Sequence, residues 1–401
     1  MTQRVLLHVG APKTGTSFVQ DILFTNRDAL RERGILYAAD RHDAHFLAAL
    51  DLLDMPWGGL EREAAGAWDR LAAEVRAWPD TAIISHEILG IASRLQVARA
   101  LESLTGPDTE IHLVFSARDL VRQIPAEWQE NIKHRRRKTY GHFLQTLRNH
   151  DRESEMTQWF WGVQEIPDIL DRWGESLPRE RVHLVTVPRP GSSPTLLWER
   201  FAGVFGLDPT EFTPSAKANA SLGVPESAMI RRLNTRLNDV LPNHHYRSLV
   251  REMLVHRNLS GRPGSPRLSM PEDTYRWASD LGRSWISELA LRGYDVVGTL
   301  DDLVPDEPPP FVDPDAPDEK QVADAALDAL AIMTQEAAKL RDVEVELHGV
   351  IDDLMGQLDR FHATRSYKAK ERLVAMSGTN PFARAGLSVY RRLRGRNSRS
   401  T

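Results

Sequence analysis

A loop near the N-terminus has residue types and spacing that suit phosphate binding. In the stretch HVGAPKTGTSFVQ, Gly10 and Gly15 are five positions apart, and two hydroxyl residues, Thr16 and Ser17, follow. This is almost the nucleotide-binding pattern G-x-x-x-x-G-K-[ST]. The lysine, however, is Lys13 within the loop, and Thr16 occupies the position that lysine has in that pattern.

The sequence around this loop predicts how it would hold an anion. The loop connects a predicted strand, 4–10, to a helix that is predicted to begin at Ser17. The backbone N–H groups of residues 13–18 would then converge on one point, reinforced by the positive end of the helix. Glycines permit close backbone approach and positive φ. We therefore expect a bound phosphate here rather than a purely structural turn.

The position of Lys13 indicates which phosphate bond is broken. In an ATP-using loop the lysine reaches the β- and γ-phosphates, and the hydroxyl residue after it holds Mg²⁺. Lys13 would instead lie at the mouth of the loop, beside the first phosphate. The predicted strand IHLVFSAR ends in an arginine, and we find no strand that ends in a clear Walker-B aspartate. The pattern favours a phosphate ester bound without a metal.

The elements that must position this loop alternate between short apolar runs and longer amphipathic stretches. The predicted strands are 4–10, 34–39, 81–87, 111–118 and 181–187. The clearest predicted helix begins at Ser17 and stops at Gly34, and residues 141–180 and 225–300 are mostly helical in pattern. This alternation predicts an α/β protein with a P-loop-like, three-layer fold, in which helices flank a central parallel sheet.

Two motifs together resemble the PAPS-dependent sulfotransferases, and in particular their bacterial branch. The first is PKTGTS after the first strand, and the second is an Arg-Asp pair that closes a later strand. The resemblance implies that the loop binds the 5′-phosphate of 3′-phosphoadenosine 5′-phosphosulfate (PAPS) through Pro12, Lys13, Thr14, Gly15, Thr16 and Ser17. It implies that Arg118 binds the 3′-phosphate, which distinguishes this donor from ATP. The resemblance covers residues 1–304.

The sequence departs from the family at one position of the second motif. The family usually has a serine eight residues after the strand-end arginine, whereas this chain has Ala126. Three nearby polar residues are candidates to replace that hydroxyl: Arg122, Gln129 and Lys133. The stretch NASLG (219–223) is a candidate cap over the donor.

Sulfuryl transfer to a hydroxyl requires a general base that removes the hydroxyl proton. The strand TAIISHE ends in His86 and Glu87, at the sheet edge where the loop is predicted to lie. Because neighbours in a strand point to opposite sides, only one of the two should face the acceptor. We favour Glu87, with His86 as the alternative, and a purely structural role at the sheet edge is the third interpretation. Lys13 would neutralise charge on the departing phosphate.

The acceptor is not specified by any motif. A hydroxyl of a glycan, a glycolipid or a small molecule fits the chemistry. The basic run HRRRKTYGH (134–142) is either a solvated face or a region that attracts an anionic acceptor, and Trp57 is a candidate to stack on it. The cluster His42, Asp43 and His45 has conceivable metal spacing, but a polar helix start is the preferred interpretation.

Beyond the predicted domain 1–304 the composition changes. Residues 305–320 form a predicted proline-rich, acidic linker, and residues 321–362 carry a heptad pattern. That pattern suits either a helix packed on the main domain or a homodimeric coiled coil. Residues 301–359 hold 17 acidic and 3 basic residues, whereas the tail 363–401 is strongly basic. The tail has the composition of a disordered, solvated terminus, with anionic lipid or an acidic partner as the alternative.

Overall composition sets the remaining expectations. The 401 residues include no cysteine, which excludes disulfides and thiolate chemistry, and the net charge of −5 gives no reason to expect nucleic acid as a partner. We expect a cytoplasmic protein without a resident metal, whose basic tail is a candidate for peripheral contact with the inner membrane surface. Two other functions fit less well: a P-loop kinase or nucleotidase that uses ATP and Mg²⁺, and a non-catalytic scaffold that acts through the C-terminal helix.

Overall fold

A computed structural model describes residues 2–149, 152–212 and 221–377, together with 381, 382, 385, 386 and 389. The chain divides into two compact units, Met1–Ala329 and Leu330–Thr401. Most of the predicted basic tail beyond residue 377, and residues 219 and 220 of the predicted donor cap, lie outside the described residues. The tail's lipid contact and the cytoplasmic location therefore stay predictions.

The first unit contains a parallel sheet whose strand order is β2-β3-β1-β4-β5-β6. The strands are β1 (Arg4–His8), β2 (Ile35–Tyr37), β3 (Thr81–Ser85), β4 (Glu110–Ala117), β5 (Val182–Thr186) and β6 (Asp295–Val297). With helices around this sheet, the predicted α/β class and its central parallel sheet are confirmed. The strand β6 was missed, because it occupies three residues within a stretch whose pattern is mostly helical.

The chain reverses its direction of travel across the sheet at β1. It first builds β2 and β3 on one side of β1, and then crosses to build β4, β5 and β6 on the other. Open α/β sheets bind ligands at such a switch point, beyond the carboxyl ends of the strands. The loop after β1 lies there, between the ends of β3 and β4.

The helices of the chain connect the strands and form the C-terminal extension. They are α1 (Thr16–Thr25), α2 (Arg27–Glu32), α3 (Ala44–Leu53), α4 (Glu61–Ala64), α5 (Ala67–Ala77), α6 (Arg94–Leu104), α7 (Leu120–Lys133), α8 (Tyr140–Arg148), α9 (Glu155–Gln164), α10 (Ile166–Gly174), α11 (Leu196–Phe205), α12 (Val224–Leu237), α13 (Asn243–His245), α14 (Glu272–Arg292), α15 (Glu319–Ala363) and α16 (Arg365–Ser377). A π-helical segment, Tyr246–Leu259, lies between α13 and α14.

Apolar side chains cover both faces of the sheet. On one face the strand residues Leu6, Ile83 and Val114 pack in a single core cluster with residues of α1 and α11. On the other face α10 comes close enough that a Cβ on Gly174 would lie 3.8 Å from Leu113. Burial on both faces explains why the strands read as continuous apolar runs.

The predicted helix from Ser17 to Gly34 is two helices in the structure. The first ends at Thr25, and the second begins at Arg27. Between them, the side chain of Asn26 donates to the carbonyl of Ile22 at 2.8 Å. Asparagine readily bonds to nearby backbone in this way, which offers the chain an alternative to continued helix.

The predicted linker is part of the first unit and bonds to the start of α8. Residues 305–318 have neither helix nor strand, and the carboxylate of Asp315 accepts bonds from the backbone of Tyr140 and Gly141 at the start of α8, at 3.0 and 2.8 Å. The first turns of α15 then bury Val322, Ala325 and Ala329. Within the described ranges, no helix combines the length and apolar character needed to cross a membrane.

Candidate functional site

The loop after β1 is held in a conformation that requires its glycines. Gly10 has φ +138°, and a Cβ there would lie 3.2 Å from the carbonyl oxygen of Glu87. Gly15 has φ +88°, and a Cβ there would lie 2.5 Å from the side chain of Leu197. Lys13 has φ 62°, which is uncommon for a residue with a side chain. The sharp turn presents the start of α1 to the edge of the sheet.

The loop offers backbone donors to a ligand. The N–H groups of Gly15, Thr16 and Ser17 have no acceptor within the part of the chain that the structure describes. The carbonyl of Gly15 accepts the first helical bonds, from Phe18 and Val19 at 3.0 and 3.2 Å. Unsatisfied N–H groups at a helix start, together with the helix dipole, favour an anion.

A buried polar network lies beneath the loop and fixes its shape. The imidazole of His8 contacts Ser85 at the end of β3 at 2.8 Å and Ser116 near the end of β4 at 3.3 Å. Ser116 also contacts the hydroxyl of Thr14, which donates to the carbonyl of Ala11 at 2.6 Å. Burial lowers the pKa of His8 to about 4, so the ring is neutral at physiological pH. The Thr14 side chain thus braces the loop, and its backbone remains on the ligand side.

Two glutamines fasten the loop from the other side. The amide of Gln123 donates to the carbonyl of Pro12 at 2.8 Å, and that of Gln164 does so at 3.3 Å. Gln164 also donates to the carboxyl of Glu127 at 3.0 Å. Burial raises the pKa of Glu127 to about 7. The carbonyl of Pro12 is therefore the point at which the two glutamines hold the loop in place.

Arg118 follows β4 directly and lies against the loop. Its guanidinium donates to the carbonyl of Lys13 at 3.1 Å and to Gln123 at 3.4 Å. Its Nε is buried without a hydrogen-bond partner, and among the described residues no carboxylate lies within 4 Å of it. Burial lowers the pKa of Arg118 to about 10, with further lowering from Arg122. The charge of neighbouring Asp119 partly offsets this lowering, and a bound anion would stabilise the half-buried guanidinium further.

The candidates to replace the hydroxyl missing at Ala126 differ in their availability. The guanidinium of Arg122 pairs with Asp119 and donates to the carbonyl of Pro188 at 3.1 Å. The amide of Gln129 donates to the carbonyl of Leu222 at 2.7 Å. The ammonium of Lys133, in contrast, pairs with the carboxylate of Glu130 at 3.6 Å and makes no shorter side-chain hydrogen bond within the described chain.

Glu130 is surrounded by basic groups at the mouth of the loop. Its carboxylate accepts from Lys13 Nζ at 2.6 Å, and His134, Lys133 and Arg251 lie within 3.2 to 3.6 Å. Although burial opposes it, the positive charge of Lys13 and its neighbours holds the pKa of Glu130 well below its usual range. The Nε of Arg251 is buried without a hydrogen-bond partner in the described residues. The Glu130 carboxylate thus faces three cations, Lys13, Lys133 and Arg251, of which Arg251 also lies 3.9 Å from Glu252.

The two predicted base residues lie beside the loop, just after β3 ends at Ser85. The carboxylate of Glu87 accepts from Gln20 at 2.9 Å. Burial alone would raise the pKa of Glu87, but His86, the backbone and Gln20 outweigh it and lower the pKa. His86 Nδ1 accepts from the backbone of Ile88 at 3.3 Å, and burial lowers the pKa of His86.

Partly exposed aromatic rings connect these two residues to the Glu130 cluster. The ring of Phe46 stacks on His86, with centroids 5.1 Å apart, and lies 5.7 Å from Trp57. Trp57 in turn lies 5.6 Å from His134 and 6.4 Å from Trp159. Such a wall can bind a flat or sugar-like group by stacking and apolar contact.

The structure brings together most of the residues selected from the sequence. The loop, Arg118 and the His86–Glu87 pair meet at the switch point. His8, Ser116 and Glu130 were missed, since their roles depend on register and on a contact across 117 positions. His42, Asp43 and His45 lie at the start of α3, as the preferred interpretation of a polar helix start expects. His42 pairs with Asp21 at 2.6 Å, and His45 bonds backbone groups. Across the described segments no group of three or more His, Cys, Asp or Glu could hold a metal ion.

Comparison with known proteins gives little beyond this geometry. No protein-family model matches the chain, and no curated protein matches it. A solved structure of a sulfotransferase from Alicyclobacillus acidocaldarius matches with a TM-score of 0.37 and 16% identity, over 61% of this chain and 94% of that chain. A similarity at this level carries no functional argument. The functional case therefore rests on the residues of the site.

Proposed function

We propose that the protein is a sulfotransferase that moves a sulfuryl group from PAPS to a hydroxyl group of an acceptor. The observation that carries this proposal is the half-buried guanidinium of Arg118, whose Nε is buried without a hydrogen-bond partner and which has no carboxylate within 4 Å among the described residues. A donor with one phosphate in the loop and a second phosphate on the ribose would supply the missing anion. ATP has no phosphate at the ribose 3′ position.

In the proposed site, the two phosphates of PAPS are bound by two different groups of hydrogen-bond donors. The open N–H groups of Gly15, Thr16 and Ser17, with the Thr16 and Ser17 hydroxyls, bind the 5′-phosphate. Arg118 binds the 3′-phosphate through charge-assisted hydrogen bonds. Arg122 supports this site by holding Asp119, which caps α7 through its own side chain.

The proposed reaction is an in-line displacement at sulfur. The acceptor oxygen forms a bond to sulfur while the bond from sulfur to the 5′-phosphate oxygen breaks, and the acceptor proton passes to the base. Negative charge grows on the departing phosphate, and Lys13 is the cation best positioned to stabilise it. This requires Lys13 to leave Glu130 when the donor binds.

Glu87 remains the preferred base, and His86 is the alternative. A lowered pKa keeps Glu87 ionised and so free to accept the proton, but it also makes the carboxylate a weaker base. The neutral imidazole of His86 can also accept one. With Glu87→Gln, we expect kcat to fall at least about 100-fold with little change in donor affinity. If His86→Asn gives that result and Glu87→Gln does not, the assignment is reversed.

The aromatic wall and the positive cluster support an acceptor that combines an apolar or sugar face with a nearby negative group. The same groups lie on the Lys13 side of the site, where the sulfuryl group would meet the hydroxyl. Mass spectrometry of extracts from a deletion strain would identify the acceptor, because the sulfated product should be replaced there by a species lighter by one SO₃.

Calorimetric titration of the full chain tests the proposal. Adenosine 3′,5′-bisphosphate should bind without metal, and more tightly than ADP with Mg²⁺. Arg118→Ala should weaken that binding, whereas the exposed Arg137→Ala should not. Tighter binding of ADP with Mg²⁺ would indicate a kinase or nucleotidase. Binding of neither nucleotide would favour the scaffold function.

A further inference from the structure

The part of α15 beyond Ala329 carries a long apolar stripe that the chain itself leaves exposed. The large exposed apolar side chains of this stripe are Leu330, Leu340, Leu347, Ile351, Leu354, Leu358 and Phe361. Together with Met333 and Ala337, these residues follow alternating spacings of three and four. Leu330 is the first a position of this heptad pattern, and Met333 is the first d position. The pattern continues for four and a half heptads.

An isolated helix with this surface is not stable in water. Most helical stability comes from burying an apolar face, and exposed contiguous apolar patches of this extent mark interaction surfaces. Gly349 and Gly356 weaken the helix further, by about 1 kcal/mol each relative to alanine. Both glycines fall at position f, the outermost of the heptad, and a Cβ at either would meet nothing within 4 Å. Their position leaves the stripe unbroken.

We propose that residues 330–361 form a parallel, in-register, two-stranded coiled coil with a second copy of this chain. The stripe is at its own a and d positions, so two identical helices offer each other the same knobs and holes. The seam would extend about 47 Å at the helical rise of 1.5 Å per residue. This proposal is independent of the sulfotransferase function.

The flanking positions support a second copy in parallel orientation. In a parallel pair, each g position faces the e position five residues later on the other helix. Glu336 then faces Arg341 of the second copy, an acid with a base. Val350 faces Met355 of the second copy, and both are apolar and exposed in the single chain.

An antiparallel pair would match these groups less well. There, e positions face e positions, so Arg341 would lie near His348 of the second copy. Glu336 would have no basic partner on the second copy and would keep only Lys339 of its own helix, at 3.5 Å. The parallel arrangement gives an ion pair on each side of the seam, and the antiparallel arrangement gives none. The flanking e and g charges therefore favour the parallel pair, and they act against the repulsion between the two Glu344 side chains that this alignment brings together.

Glu344 is the one charged residue at a core position. In the parallel pair it faces Glu344 of the second copy, and within its own helix it accepts from Arg341 at 2.6 Å. A polar residue at a single a position lowers stability and fixes register. We therefore expect Glu344→Leu to lower the dimer dissociation constant at least tenfold.

Sedimentation velocity of the full chain at micromolar concentration tests the dimer with a matched pair of substitutions. Leu347 is 55% exposed at position d, and Val345 is 66% exposed at the outward position b. The wild type and Val345→Asp should have twice the mass of the chain, and Leu347→Asp the mass of one. All ten tryptophans precede residue 286, so unchanged tryptophan fluorescence would show that the first unit is intact.

Orientation is tested by cross-linking, because the chain has no cysteine of its own. Leu340→Cys should form a disulfide-linked dimer rapidly if the helices are parallel and in register. In the antiparallel alignment Leu340 would lie opposite Ile351, about 16 Å along the helix from its counterpart, and no link would form. A monomeric wild type, a dimer that persists in Leu347→Asp, or an absent Leu340→Cys link would each overturn the proposal.

Discussion

The switch-point site of the first unit and the helix 330–361 place their residues by opposite means. At the site, side chains that are far apart in sequence converge: Lys13 contacts Glu130, and His8 joins Ser85 to Ser116. Along the helix, every position of the stripe is set by local periodicity, and its apolar side chains remain exposed. The side chains of the first region find their contacts within one chain, whereas the apolar stripe of the helix needs a second chain to bury it.

This difference teaches where each kind of function can arise. A cation can lie half-buried without a carboxylate contact, as Arg118 does among the described residues, only where a packed sheet and its helices compensate for the cost. A repeating apolar surface needs no such support, but it needs a partner. We therefore expect substitutions in the two regions to act on different measurements.

The largest effect should come from Arg118. If it binds the 3′-phosphate, the wild type should bind adenosine 3′,5′-bisphosphate about 100-fold more tightly than AMP, since charged hydrogen bonds each contribute about 1.5–3 kcal/mol. Arg118→Ala should make the two affinities nearly equal by weakening only the bisphosphate. Calorimetric titration measures both. An undiminished preference in Arg118→Ala would show that another group binds the 3′-phosphate.

Two substitutions on the same helix, α15, test where the first unit ends. Val322 is buried in the first unit, whereas Leu340 is 57% exposed. Val322→Asp should lower the free energy of unfolding of the first unit by about 2 kcal/mol through lost apolar burial. Leu340→Asp should change it by less than about 0.5 kcal/mol. Urea unfolding followed by tryptophan fluorescence measures both, and equal effects would contradict the division at Ala329.

The buried network beneath the loop should appear in the pH dependence of stability. Burial lowers the pKa of His8 and of His45 to about 4, whereas the unfolded value is 6.5. Between these values the unfolded chain binds more protons than the folded chain. The free energy of unfolding should therefore fall as the pH drops from about 6.5 toward 4, by up to about 1.4 kcal/mol per pH unit for each histidine.

The variant His8→Gln isolates one of these two contributions. Its free energy of unfolding should depend less steeply on pH than that of the wild type, although the variant is less stable at pH 7. Urea unfolding at pH 7 and pH 5 gives the comparison. If the two proteins lose stability equally on acidification, then His8 is not held neutral in the folded state.

The smallest effect should come from the outward glycines of the helix. Gly349→Ala and Gly356→Ala should each raise the stability of the helical segment by about 1 kcal/mol, visible as a higher thermal midpoint by circular dichroism. The matched control is Gly203→Ala in α11, which also meets nothing within 4 Å. It should leave the dimer unchanged. A weaker dimer in the Gly349→Ala variant would place that residue in the seam.

The sequence by itself determined the features that depend on local pattern. Apolar runs predicted five of the strands of the central sheet, and the spacing of Gly10 and Gly15 located a glycine-containing loop between a strand and a helix. Periodicity alone also located the apolar stripe of the C-terminal helix. The break at Asn26 and the short strand β6 were missed, because a side-chain bond and three edge residues leave little trace in such patterns.

Only the tertiary structure decided how the site is assembled. The contact of Lys13 with Glu130, the half-burial of Arg118 without a described carboxylate contact, and the pairing of Arg122 with Asp119 all depend on strand order and register. The structure also decided that α15 is buried at Val322 and exposed from Leu330. The physical reason is the same in each case: burial and pairing between distant residues depend on packing, which no local pattern in the chain encodes.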